Sequence, residues 1–271
     1  MTPRLIATDL DGTLLDSTST VTPRTRAALD AARARGIHVV PVTARQPIGL
    51  RAIAGDADFR DWALCSNGAY ATHLTDGRML FAEELPAETI RTLAEALRAS
   101  VPGLLFASVR EGGETFVAQE GYAAIADLSD HKRDPKTMGG VPLDQVLDAP
   151  SLKFVIRHPQ LAPSELFGAL RALGLTGFEA TLSGAPFVEV MAEGVTKATG
   201  LARLCAHLGI DRADVMAFGD ALNDVEMLRW AGRGIAMADA DAVVQDAADE
   251  TAPSNDDDGV ARTIERVLAV R

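Results

Sequence analysis

The stretch DLDGTLLD, Asp9 to Asp16, follows the apolar run Leu5-Ile6-Ala7 and sets two carboxylates, Asp9 and Asp11, at the tip of what reads as a buried strand. Asp and Gly are ordinary turn residues and end many strands. Two like charges at one apolar tip nevertheless repel unless a cation holds them. Carboxylates recur further along the chain. FGDALND puts Asp220 just after the strand-like run VMAF, with Asn223 and Asp224 at the entry to the next helix, and Thr43 follows the run IHVVPV. Ligand sites in open α/β sheets lie outside the carboxyl ends of the strands, so strands distant in sequence can deliver these groups to one crevice. A divalent, oxygen-seeking cation would hold them. Magnesium suits a shell of one or two carboxylates, a carbonyl, waters and a substrate phosphate.

Competing motifs fail on register. With Asp9 as position 1 of a calcium loop, glycine falls at position 4 and Thr20 stands at position 12, where such a loop needs glycine at 6 and a bidentate Glu at 12. The chain contains neither G-x-x-x-x-G-K-S/T nor G-x-G-x-x-G.

Around this strand tip, strand-length apolar runs alternate with helix-length amphipathic stretches, the pattern of a parallel sheet covered by helices. RLIATDL reads as a strand. Thr22-Pro23 supplies an N-cap and a first-turn proline for the helix RTRAALDAARAR, Gly36 ends it, and IHVVPV is the second strand. A third apolar run, ALCS, ends in Asn67-Gly68. From residue 84 to 189 the order changes to neighbouring strands with helices between them, as in an antiparallel sheet with helices on one face. Alternation resumes near Gly194 with the helix TKATGLARLCAHLG, the strand DVMAFG, the helix ALNDVEMLRWAG, the strand GIAMA and a last helix GVARTIERVLAV. The expected architecture is α/β: a doubly wound, Rossmann-like core over 1–83 and 190–271, interrupted by an inserted α+β domain over 84–189.

At 271 residues, 47% of them hydrophobic, the chain can bury one large core or two smaller ones. Its net charge of −12 argues against nucleic acid or an anionic membrane as partner. Cys65 and Cys205 lie far apart in apolar contexts and read as buried free thiols, which argues against zinc. The first apolar run is broken by Asp9 and Asp11, unlike a signal peptide, so a soluble cytoplasmic protein is expected. Monomer and weak dimer both remain open.

Lys197, in EGVTKATGL, stands at the start of a helix, where a cation opposes the helix dipole and is not chosen for helix stability. DLDGTLLD, VTAR, GVTK and GDALND, in this order, resemble the four motifs of the haloacid dehalogenase superfamily. SNGA at 66–69, the insertion after it and DGVA at 258–261 resemble its Cof-type phosphatases, which carry a type IIB cap. The resemblance implies a magnesium-dependent phosphatase of small phosphate esters, in which Asp9 is the nucleophile that becomes an aspartyl-phosphate and Asp11 the acid/base. It implies Asp220, Asp9 and the Asp11 backbone carbonyl on magnesium, Lys197, Thr43, Asn223 and the amides of Leu10 and Ala44 on phosphate, and Asp224 behind them.

Sugar phosphates are the first expected substrate class and phosphorylated cofactors the next. Within the resemblance the insertion covers the pocket and contacts the leaving group; HKRDPK at 131–136, Arg157 and His158 are candidates for that contact, and Arg45 either faces substrate or forms a surface ion pair. GIAMADA departs from the family's glycine-asparagine pair by having Ala238 and Asp239, which bears on the network behind Asp220. Two other readings remain: a phosphomutase on the same scaffold, and a non-catalytic phosphate-responsive binding protein resembling a receiver domain. A receiver lacks the large insertion and does not carry its acceptor on the first strand.

Overall fold

The computed structural model describes residues 2–269. The chain begins with β1 (Leu5–Thr8), α1 (Pro23–Arg33), β2 (His38–Pro41) and α2 (Pro47–Ala57). Thr22 caps α1 as its spacing predicts: its side chain accepts from the Thr25 amide, and Pro23 fills the first turn, where no amide partner is missed. Next come β3 (Trp62–Cys65), β4 (Tyr70–His73) and β5 (Met79–Ala82). Here the structure differs from simple alternation. The run ALCS belongs to a small three-stranded sheet, β3-β4-β5, and pairs antiparallel with β4; a single parallel bridge, Val42 to Leu64, ties it to the strand before it.

The intervening chain forms α3 (Ala87–Ser100), β6 (Leu105–Arg110), β7 (Thr115–Ala118), α4 (Leu128–His131), α5 (Leu143–Val146), β8 (Lys153–Arg157), α6 (Pro163–Ala172), β9 (Phe178–Thr181) and β10 (Val188–Ala192). Its sheet runs β7-β6-β8-β10-β9, every neighbour antiparallel. Successive side chains of a strand point to opposite faces. Phe106, Phe154, Ile156, Val188 and Val190 bury one face against Ile90, Leu93 and Leu97 of α3 and Leu166 and Leu170 of α6, which forms a core of its own. Lys153, Arg157 and Glu189 alternate with these core residues and so belong to the opposite face.

The chain then gives α7 (Lys197–Leu208), β11 (Val215–Gly219), α8 (Val225–Trp230), β12 (Arg233–Met237), α9 (Ala242–Gln245), β13 (Glu250–Ala252) and α10 (Gly259–Ala269). Val270, the last residue expected in the final helix, lies outside the described residues. The main sheet is wholly parallel in the order β13-β12-β11-β1-β2. Its strands are buried on both faces, which is why they read as unbroken apolar runs. Ile6, Val39, Phe218 and Ile235 pack with Leu29 of α1 and Ile264 of α10, whereas Leu5, Ala7, Val40 and Ala217 pack with Leu201 and Leu204 of α7 and Leu228 of α8. The architecture is therefore the expected α/β one, a doubly wound parallel core with an inserted α+β unit.

Two compact units result: one takes the chain through Ala44, Leu50–Phe81 and from Thr196 onward, the other Arg45–Gly49 and Ala82–Val195. Cys65 and Cys205 are buried free thiols. No helix among the described residues is long and apolar enough to cross a membrane.

Candidate active site

β1 lies between β2 and β11, so the residues just past these three strands meet at one end of the sheet. Asp9 follows β1, and its amide donates to the Phe218 carbonyl of β11 at 3.0 Å. Asp220 follows β11 and Thr43 comes two residues after β2. Asp9, Asp220 and Asp224 each offer a carboxylate oxygen, all within 4.8 Å of one another, although they are up to 215 positions apart in the chain (224 − 9).

Lys197 closes this cluster. It is the first residue of α7, wholly buried, and its Nζ donates at 2.6 Å both to Asp9 Oδ1 and to Asp224 Oδ1. A buried ammonium at a helix N-terminus is unfavourable alone. Burial works against the charged form, but the charges and hydrogen bonds of Asp224 and Asp9 outweigh it, and the ammonium is held protonated well beyond the usual lysine range. Burial likewise pushes the Asp9 carboxyl up, Lys197 pulls it down, and Asp224 and Asp220 push it up again.

Asp224 has both oxygens engaged. Oδ1 takes Lys197, and Oδ2 accepts from the amides of Asp220 and Ala221 at 3.1 Å each. It is fully buried, and its geometry holds Lys197 and the turn after β11 in place. Asp220 is held by Thr13, whose hydroxyl donates to Oδ1 at 2.6 Å. Burial, with Asp224 beside it, raises the Asp220 carboxyl to about 6 against the opposing pull of Thr13 and Lys197, and Asp239 adds a smaller push in the same direction.

Gly12 explains the third letter of the opening motif. Its φ is +81°, and a Cβ there would lie 2.4 Å from Asp220 Oδ2. Only a residue without a side chain lets this carboxylate lie against the backbone. Gly219 does the same for Asp224, whose Cβ and Cγ would both lie 2.4 Å from an added Cβ. The result is a cradle of hard oxygen donors. That donor set fits magnesium and lacks the nitrogen and sulfur that zinc prefers.

The other expected residues are nearby in the fold. Leu10 is buried, and its carbonyl accepts from the Thr13 and Leu15 amides, which shapes the loop. Thr43 is buried, with its amide on the Leu64 carbonyl and its carbonyl taking the Asn67 amide; Ala44 beside it is half-buried. Asp11 is half-buried and bridges to Leu15. Asn223 donates its side-chain amide to Asn67 Oδ1 at 2.9 Å. Thr13, Gly12 and Asn67 were given no site role by the sequence. The DGT and SNG letters carried them, but their work is to hold other side chains, and no spacing rule encodes that.

Arg45 is buried and donates to the Gly49 carbonyl at 3.1 Å. Ala238 and Asp239 are exposed, and Gln245 holds the Ala238 carbonyl at 2.9 Å. In the inserted unit, four of the basic candidates have partners within the fold, and Lys136 is exposed. Arg157 pairs with Asp130 at 2.5 Å, both nearly buried, and His158 accepts the Gln160 and Leu161 amides on Nδ1 while its other nitrogen meets the Pro102 carbonyl. His131 is buried against Phe187, and Arg133 donates to Gln46 and to the Glu114 carbonyl.

Comparison with known proteins agrees with this geometry. The chain is 30% identical to "Putative phosphatase YxeH" of Bacillus subtilis over 98% of its own length and 99% of that protein's. It is also 30% identical to "Pyridoxal phosphate phosphatase YbhA" of Escherichia coli, over 97% and 98% of the two chains. Its fold matches the solved structure of the haloacid dehalogenase subclass IIB sugar phosphatase BT4131 with a TM-score of 0.82 at 23% identity, over 97% and 98% of the two chains. A sequence model of the haloacid dehalogenase-like hydrolases matches residues 6–264, and with the parallel core, the insertion and the acid cluster around one buried lysine it places the chain: it belongs to the haloacid dehalogenase-like hydrolase family.

Proposed function

We propose that the protein hydrolyses phosphate monoesters of small metabolites through an aspartyl-phosphate on Asp9. The observation that carries this is Lys197, buried and bonded at 2.6 Å to both Asp9 and Asp224. In phosphoryl transfer most of the catalytic work is positioning and charge neutralisation, and a fixed ammonium beside a carboxylate nucleophile suits that work.

In the first step an Asp9 carboxylate oxygen bonds to phosphorus as the ester P–O bond breaks, and Asp11 gives its proton to the departing oxygen. In the second step Asp11 takes a proton from water, whose oxygen bonds to phosphorus; the Asp9–phosphorus bond breaks and inorganic phosphate leaves. Splitting the hydrolysis this way replaces one difficult displacement by two easier ones. Lys197 neutralises charge on Asp9 and on the phosphoryl oxygens. Thr43, Asn223 and the amides of Leu10 and Ala44 orient those oxygens. Asp9, Asp220 and the Asp11 carbonyl would hold magnesium, which when bound supplies further neutralisation of the transferring group.

Sugar phosphates remain the leading substrate class. Pyridoxal phosphate belongs beside them, because a relative aligned over nearly the whole chain carries that activity in its name. The test is release of inorganic phosphate from a panel of sugar phosphates, pyridoxal phosphate and an activated aryl phosphate, with magnesium present. Turnover that disappears in Asp9→Asn supports the reading. No release from any ester, or equal release by folded Asp9→Asn protein, refutes it.

A further inference from the structure

Asn67 stands in a left-handed run of three residues directly after β3, with φ of 50° at Ser66, 57° at Asn67 and 90° at Gly68. Side-chain-bearing residues adopt this region at a cost, and asparagine does so more readily than most. The run is pinned on two sides. The Asn67 amide donates to the Thr43 carbonyl at 3.0 Å, just past β2. Gly68 abuts the start of α7, where an added Cβ would lie 2.4 Å from the Thr196 carbonyl oxygen and 3.3 Å from Lys197 Cα.

From this fixed backbone the Asn67 side chain reaches Asn223, taking one Nδ2 hydrogen on its Oδ1 at 2.9 Å. Both residues are more than nine-tenths buried, and Asn223 Oδ1 has no hydrogen-bond partner. A buried polar atom left unpaired is costly and uncommon. Here it shows that packed protein holds the Asn223 carboxamide through its nitrogen, by way of Asn67. An amide nitrogen carries two hydrogens. With one held by Asn67, the plane of the Asn223 carboxamide is set and the second has a fixed direction.

We propose that Asn67 is a positioning residue: it orients the Asn223 carboxamide so that the remaining Nδ2 hydrogen meets a phosphoryl oxygen, in register with Thr43 and Lys197. This deepens the phosphatase reading and rests on it. Asn67 touches neither the nucleophile nor the leaving group in this scheme, and it acts only through Asn223.

The test is a double-mutant cycle read by the inhibition constant of inorganic phosphate and by kcat and KM on an activated aryl phosphate. Asn67→Gly suits the left-handed backbone and removes only the carboxamide. It should weaken phosphate inhibition about tenfold, the low end for a hydrogen bond to a charged group. Asn223→Ala should weaken it at least as much, and the double variant no further than Asn223→Ala alone, because residues that act as one unit are non-additive. Losses that multiply, or an unchanged constant in Asn67→Gly, overturn the assignment.

A measurement on the wild-type protein removes dependence on the variants' folding. The Asn223 side-chain NH2 resonances, identified by their absence in Asn223→Ala, should shift when inorganic phosphate is added, one hydrogen more than the other. Unmoved resonances in a protein that phosphate does inhibit also overturn it. A wild-type protein that neither releases phosphate from esters nor is inhibited by it would instead sink the phosphatase reading itself.

Discussion

Lys197 shows how one residue ties chemistry to folding, because its buried ammonium is tolerable only with Asp9 and Asp224 at 2.6 Å. Asp9→Asn keeps the shape and removes the charge of the proposed nucleophile, so kcat should fall on the order of 10⁴-fold or more, as for other deleted nucleophiles, while circular dichroism stays native. Gly12→Ala tests the cradle from the other side. A Cβ 2.4 Å from Asp220 Oδ2, at φ +81°, must displace that carboxylate, so the apparent magnesium affinity in the turnover assay should drop by tenfold or more. Unchanged magnesium dependence would show that Asp220 does not need this approach. Asp220 also sets a pH dependence. With its carboxyl raised to about 6, proton and cation compete for it below that pH. Apparent magnesium affinity should therefore rise about tenfold per pH unit toward pH 6 and level off above it. A flat profile by titration calorimetry from pH 5 to 7 would exclude Asp220 as a ligand.

At the scale of elements, the face of the inserted sheet opposite its helices sets Lys153, Arg157 and Glu189 among the buried apolar residues Ala107, Val109, Val155 and Met191. Lys153 of β8 and Glu189 of β10 meet at 2.5 Å with side chains 4% and 1% exposed. Removing one partner leaves the other charge buried, so Lys153→Met should cost about 3–5 kcal/mol in urea unfolding, and Lys153→Met with Glu189→Leu should recover most of it. Nearby, His131 meets the Tyr122 hydroxyl at 2.8 Å, and burial, with Lys153, Arg157 and Arg133 around it, holds its pKa down to about 2. The folded state keeps this imidazole neutral while the unfolded chain takes up a proton below about pH 6.5. Stability is thus fully present above that pH and falls by up to about 1.4 kcal/mol per pH unit beneath it. His131→Gln should flatten that acid slope in urea titrations, and an unaltered slope would assign it to other groups.

These elements also show what the sequence disclosed. β1 and α1 were readable because a four-residue apolar run ends in Asp9 and because Thr22-Pro23 opens a periodic helix. The hairpin of β4 and β5 was not, since β5 is largely exposed, Met79 at 59%, and offers little alternation to detect. Arg157 read as a candidate leaving-group contact because a sequence shows charge and not the Asp130 that the fold brings to it. The site was legible where strand ends carry unusual residues, and illegible where Thr13, Gly12 and Asn67 serve it indirectly.

For the whole molecule, the division into two compact units makes the binding of a cation and the stability of the chain separable observations. Every carboxylate of the acid cluster, Asp9, Asp220 and Asp224, belongs to the unit built on the parallel sheet. So do both tryptophans, Trp62 and Trp230. Tryptophan fluorescence therefore follows that unit alone, while far-ultraviolet circular dichroism follows both. Without a cation, three clustered carboxylates face one ammonium, and their mutual repulsion opposes folding of that unit. A ligand that binds only the folded state stabilises it by about 2.7 kcal/mol at a concentration one hundred times its Kd. Magnesium in that excess should therefore raise the fluorescence-detected unfolding midpoint by several degrees, and chelation should both reverse the shift and abolish turnover. Calcium, larger and preferring more ligands, should stabilise the unit yet support little turnover. The inserted unit has its own core and none of these carboxylates, so the part of the dichroism transition not shared with fluorescence should stay where it was. A magnesium shift of equal size in both signals would mean that the units unfold as one. No shift in either, with turnover intact after exhaustive chelation, would remove the cation from the site.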